Sequence, residues 1–118
     1  MSEAARERWN SRYRAGWDQP VPPPDPGLIQ LVRNQAPGQA LELACGLGQN
    51  AIWLASQGWT VTAVDLSDIG LGRAQEQAAA AHLQVDWIQA DLDHWQPPDN
   101  LQYDLILVQR FLDRGATR

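Results

Sequence analysis

An apolar run broken by two glycines, with a helical pattern directly behind it, constrains this chain more than any other feature. The segment reads Ala40-Leu41-Glu42-Leu43-Ala44-Cys45-Gly46-Leu47-Gly48-Gln49-Asn50. Strand, glycine turn and helix in that order bring bare backbone N–H groups and a helix N-terminus up against a ligand. A side chain at Gly46 or Gly48 would block that approach and resist the positive φ values such turns use. Residues 49–57 read as a short helix in which Ile52, Leu54 and Ala55 can face a sheet, and Gly58 stops it near C′. Thr60-Val61-Thr62-Ala63-Val64 is β-rich and apolar enough for a buried parallel strand, and it ends at Asp65. The expectation is a βαβ unit holding a nucleotide-like ligand, with Asp65 placed to accept both hydroxyls of a ribose. The plainer alternative for Asp65 is a turn or helix N-terminal residue.

Two cofactor classes use this arrangement. Gly46-x-Gly48-x-x-Ala51 fits the dinucleotide fingerprint. Glu42-Leu43-Ala44-Cys45-Gly46-Leu47-Gly48 instead resembles motif I of class I S-adenosylmethionine-dependent methyltransferases, and Glu42 favours this reading, because a dinucleotide strand has no use for a carboxylate inside its first strand. The run from Leu43 to Ala55, with Val61-Thr62-Ala63-Val64-Asp65-Leu66-Ser67, is similar to small bacterial methyltransferases of the tellurite-resistance type. Ala44 departs from the glycine more usual there. The resemblance implies S-adenosylmethionine as cofactor, with Glu42 helping to organise the site for a cationic ligand. Val85-Asp86-Trp87-Ile88-Gln89 alternates as a third strand. After it, the resemblance gives Asp91 the adenine amino group, with Asp93 as competitor; either could instead be a solvated turn carboxylate. Altogether it places cofactor contacts at Tyr13, Glu42, Ala44, Cys45, Gly46, Gly48, Asn50, Asp65, Leu66, Ser67, Asp91, Leu92 and Gln109.

Composition narrows the partners. The chain has 118 residues and a net charge of −5, and its nine basic residues are all arginine, which argues against a nucleic-acid groove. No apolar stretch approaches the ~18 residues of a membrane span, and the polar N-terminus lacks a signal-peptide core. A soluble cytoplasmic protein is expected. Cys45, the lone cysteine, excludes an internal disulfide and a cysteine zinc cluster. It reads as a small residue packed under the turn, and His82 and His94 read as surface residues.

Residues 2–15 have helix-forming composition, and Trp9, Tyr13 and Trp17 fall at i, i+4 and i+8. Such a stripe is usually core packing; the resemblance offers a lid over the cofactor pocket, matched by Arg12 and Tyr13. Residues 20–26 form a proline-rich connector, and a helix over 28–35 leads into the first strand. Ser67 can cap a helix over 68–81, weakened by Gly70 and Gly72. Tyr103-Asp104-Leu105-Ile106-Leu107-Val108 is a fourth strand, and the resemblance places Gln109-Arg110-Phe111-Leu112 near the methyl donor.

The expected fold is α/β, a three-layer α/β/α Rossmann-like methyltransferase sheet with strands 1–4 of the usual seven, whose order the resemblance gives as 3-2-1-4-5-7-6. One partial domain spans 1–118: a helical cap and connector over 1–38, and a cofactor-binding βαβαβ core over 39–112. The chain reads as C-terminally truncated, with strand four as an exposed apolar edge open to self-association. The expected function is methyl transfer from S-adenosylmethionine to a small-molecule acceptor by in-line displacement. The alternatives are a non-catalytic S-adenosylmethionine-binding fragment and an NAD-dependent oxidoreductase fragment.

Overall fold

The computed structural model describes residues 2–108. They run as α1 (Ser2–Ala15), α2 (Pro26–Val32), β1 (Gln39–Leu43), α3 (Gln49–Ser56), β2 (Thr60–Asp65), α4 (Asp68–Ala80), β3 (Asp86–Gln89) and β4 (Leu105–Val108). The strands form one parallel sheet in the order β3-β2-β1-β4. This is the start of the strand order that the resemblance implies. Leu43 pairs with Val64 on one side and Val108 on the other, so the carboxyl ends of β1, β2 and β4 arrive at one rim.

Burial explains why the central strands read as continuous apolar runs. Ala40, Leu41 and Glu42 are consecutive and buried, as are Ala63, Val64 and Asp65, so both faces of β1 and β2 are covered. Leu54 and Ala51 of α3 and Leu71 and Ala74 of α4 complete the core. Truncating a fully buried leucine such as Leu54 costs about 2–5 kcal/mol. On α4 the buried face is Gly70, Leu71, Ala74 and Ala78. Gly70 and Ala74 let α1 and the turn after β1 approach α4 closely.

Most element ends match sequence expectation, because their signals are local. Ser67 caps α4, accepting from the Gly70 N–H at 3.0 Å. Gly58, at φ 95°, follows α3. The second helix departs from expectation: it spans Pro26–Val32 rather than 28–35. Asp25 is its N-cap, accepting from Gly27 N–H at 2.8 Å, and Pro26 occupies the first turn, where its fixed φ suits a helix. The stiff connector therefore ends before Asp25. Beyond Val32 the chain is exposed, and no buried face sustains another turn. Among the described residues, no helix is long and apolar enough to cross a membrane.

Candidate cofactor site

The turn after β1 is built from backbone conformations that side chains resist. Ala44, Gly46 and Gly48 stand at φ 57°, 61° and 77°. The turn is tied to β2 at two points: Cys45 N–H donates to the Val64 carbonyl at 3.0 Å, and Gly46 N–H donates to Asp65 Oδ2 at 2.7 Å. Asp65 Oδ1 accepts from Ser67 N–H at 2.9 Å. A Cβ on Gly48 would lie 2.7 Å from the Trp87 ring and 2.8 Å from Ala74. Close packing inside the fold thus requires glycine there, in addition to its left-handed backbone.

Two cavities flank this turn. The smaller, ≈ 180 Å³, is lined by Trp9 and Tyr13 of α1, Ala44, Asp65, Leu66, Asp91 and Leu92. Trp9 and Tyr13 face each other with ring centroids 5.9 Å apart, and the Arg12 guanidinium lies 4.6 Å from the Trp9 centroid. Burial, with Asp65 nearby, raises the Tyr13 hydroxyl pKa well above its ordinary value. Burial likewise raises the Asp65 pKa, opposed by the N–H groups of Ser67 and Gly46. Asp65 therefore holds the turn and also lines the cavity.

The larger cavity, ≈ 680 Å³, lies on the β1–β4 side. Glu42, Gln49 and Asn50 line it with Asp25, Leu28 and Leu31 from the α2 region and Ile106, Leu107 and Val108 of β4. Glu42 is completely buried. Its Oε2 accepts from Asn50 Nδ2 at 3.1 Å, and Asn50 Oδ1 in turn accepts from Asp25 N–H at 2.9 Å. Among the described residues, Glu42 Oε1 and Gln49 Oε1 are buried without a hydrogen-bond partner. Burial pushes the Glu42 pKa up to about 7, opposed by the Asn50 contact and reinforced by Asp65. A buried carboxylate oxygen without a partner is costly unless a ligand supplies one.

The structure brings Tyr13, Ala44, Asp65, Leu66, Asp91 and Leu92 together at the first cavity, and Glu42 and Asn50 at the second. Cys45, Gly46, Gly48 and Ser67 are buried in the surrounding frame and line neither. The Cys45 thiol is fully buried, and burial raises its pKa. Ser67 Oγ donates to Asn10 Oδ1 and caps α4, so its hydroxyl is engaged within the protein. Asp93 stays outside the cavity and donates its N–H to Asp91 Oδ1 at 3.0 Å. Trp17, third in the aromatic stripe, is 42% exposed and meets Arg73 instead. Gln109 lies outside the described residues.

Sequence reasoning missed three residues. Gly70 makes room for Tyr13: a Cβ there would stand 2.8 Å from the Tyr13 ring. Gln49 reaches the larger cavity from the first turn of α3. Asn10 is buried and bonded to the start of α4. Only Asn10 left a signal, because asparagine in a helix interior favours other hydrogen bonds over the helix.

Comparison with known proteins agrees with this geometry. Residues 40–115 match the family described as methyltransferase domain. A Geobacillus sp. (strain WCH70) protein named as a methyltransferase is 36% identical over 92 residues, covering 78% of this chain and 32% of that protein. A solved S-adenosylmethionine-dependent methyltransferase from Clostridium acetobutylicum ATCC 824 superposes with a TM-score of 0.59 at 26% identity, over 69% of this chain and 33% of that one. TehB from Haemophilus influenzae shares the fold, with a TM-score of 0.67 at 19% identity over 85% of this chain and 34% of that one. The chain spans about a third of the length of the curated relatives it matches. With its strand order, its turn after β1 and the family match over most of its length, this chain belongs to the methyltransferase domain family.

Proposed function

We propose that the chain forms the S-adenosylmethionine-binding portion of a methyltransferase that acts on a small-molecule acceptor. The observation that carries this reading is the charge of the site. Glu42 and Asp65 are buried on either side of one turn, and among the described residues neither is within ion-pair distance of an arginine or histidine. Two buried carboxylates without a cationic partner suit a cation and oppose a pyrophosphate. Buried charge without compensation is expensive, so a positively charged ligand gains what the apo site lacks. The same field disfavours NAD, whose pyrophosphate would sit at the N-terminus of α3.

Within this reading Asp65 accepts the ribose hydroxyls, Asp91 faces the adenine, and Trp9 and Tyr13 cover the nucleoside. Glu42 Oε1 and Gln49 Oε1 face the ammonium of the methionyl portion. The bound cofactor supplies an electrophilic methyl group on a sulfonium. Displacement from such a centre needs alignment and exclusion of water more than acid–base help, so the chain's own residues act by holding and desolvating. A cavity of ≈ 680 Å³ falls among the roughly 300–1,000 Å³ of small-molecule sites, and its charged lining residues, Asp25 and Glu42, are acidic. Both features support a small acceptor that is not a polyanion.

Calorimetric titration of the full chain with S-adenosylhomocysteine and with NAD tests the proposal. S-adenosylhomocysteine should bind and NAD should not. Tighter binding of NAD would overturn the reading.

A further inference from the structure

The cavity beneath α1 measures ≈ 180 Å³, and α1 itself supplies one wall of it through Trp9 and Tyr13. The position of α1 therefore governs how closely that wall meets a bound nucleoside, and what fastens α1 governs how long the wall stays in place. Two sets of polar contacts from α4 and its cap take part. Toward the middle of α1, Asn10 is 1% exposed. Its Nδ2 donates to Asp68 Oδ1 at 2.8 Å, and its Oδ1 accepts from Ser67 Oγ and, at 3.4 Å, from Ile69 N–H. Arg6, one turn earlier, donates to the same Asp68 oxygen at 2.9 Å. Beyond the end of α1, Arg73 donates to the Gly16 carbonyl at 3.2 Å and to the Gln19 carbonyl, with its guanidinium 5.2 Å from the Trp17 centroid.

These two ties differ in what they can do. The Arg73 contacts hold the turn after α1, where a hinge would lie. The Asn10 contacts hold the face that carries Trp9, and they end on Ser67, whose N–H is bonded to Asp65. We propose that Asn10 is a positioning residue: a latch that fastens α1 over the cofactor and sets its residence time through Ser67 and Asp68. This rests on the cofactor reading above. Asn10 itself lines neither cavity, so its effect passes through the placement of Trp9 and Tyr13.

The chemistry of the pair gives a test that a general packing role would not pass. Asn10 offers a donor to Asp68 and an acceptor to Ser67. Asn10→Asp keeps the acceptor but sets a carboxylate against Asp68. Asp68→Asn alone keeps an acceptor for Asn10, and the double variant Asn10→Asp with Asp68→Asn restores a donor–acceptor pair in reverse. Stopped-flow displacement of S-adenosylhomocysteine from the full chain should show dissociation about tenfold faster in Asn10→Asp and Asn10→Ala. It should be near the wild-type rate in Asp68→Asn and in the double variant. Amide hydrogen exchange of α1 in the ligand-free chain should follow the same order. If the wild-type chain binds S-adenosylhomocysteine but all four variants release it alike, the latch is refuted while the cofactor reading stands. If the wild-type chain does not bind S-adenosylhomocysteine, the cofactor reading fails and the latch with it.

Discussion

On the β2–β3 side of the turn after β1, Asp65, Ser67 and Asn10 are joined in one hydrogen-bonded group under α1. On the β1–β4 side, Glu42 Oε1 and Gln49 Oε1 are buried without partners among the described residues, and Ile106 and Val108 are each 59% exposed. One sheet thus carries a closed, satisfied half and an open, unsatisfied half a few residues apart. In the closed half the Asp65 carboxylate holds the turn together, and in the open half Glu42 is buried with one oxygen unpartnered among the described residues. Under the proposed function, removing the Asp65 side chain should cost both affinity and stability, whereas neutralising Glu42 should cost affinity and gain stability.

The largest expected effect breaks the closed half. Asp65→Ala removes the acceptor for two buried N–H groups, those of Gly46 and Ser67, and should destabilise the chain by about 4 kcal/mol in urea unfolding. Binding of S-adenosylhomocysteine should fall as well. An unchanged unfolding midpoint would show that the turn does not depend on Asp65.

Next comes the open half, where the sign is opposite. Glu42 titrates near 4.5 when unfolded and near 7 when folded. Its raised pKa favours the folded state fully below about pH 4.5, and that advantage is lost as pH rises through about 7, on the order of 3 kcal/mol. Asp65, also raised, acts in the same direction. Asp68 and Glu3 are lowered by their partners and act oppositely, but they are exposed and screened. Glu42→Gln should therefore flatten the decline between pH 5 and 8, leave the variant more stable than wild type at pH 8, and weaken ligand binding. Parallel stability curves for the two proteins would count against a buried, strained carboxylate.

A smaller change sharpens the contrast at the turn itself. Ala44 pays for a left-handed φ of 57°, so Ala44→Gly should gain about 0.5 kcal/mol, the balance of relieved strain and added unfolded-state freedom. A loss of thermal stability would mean that the Ala44 methyl packs more usefully than its strain costs. The smallest stability effect is expected at the open rim. Ile106→Lys should alter unfolding by less than about 0.5 kcal/mol, yet reduce any self-association seen by sedimentation. Association unaffected by that charge would place the contact elsewhere.

The sequence revealed what depends on neighbours in the chain. The Ser67 cap, the glycine-flanked α3 and the apolar β2 ending at Asp65 all follow from patterns a few residues long. The start of α2 was hidden because Asp25-Pro26 reads as part of a proline-rich connector until the cap hydrogen bond is seen. The site divided in the same way. Ala44, Asp65, Asp91 and Leu92 follow strands and line one cavity, whereas Ser67, which the resemblance gives as a cofactor contact, has its hydroxyl bonded to Asn10, a partner distant in sequence. Asn10 and Gln49 matter through partners distant in sequence or through a space that only folding creates, and no local period records either.

Gly70 is the clearest such case, and it has a consequence for how this chain can change. The glycine is a mould for the Tyr13 ring, which fills the volume a side chain at position 70 would occupy. The two positions share one fixed volume, so neither can be altered freely alone. A methyl group gained at 70 should be tolerated only with a smaller side chain at 13, and that exchange would widen the cavity that Tyr13 lines. A residue without a side chain therefore restricts which side chain α1 can present at position 13.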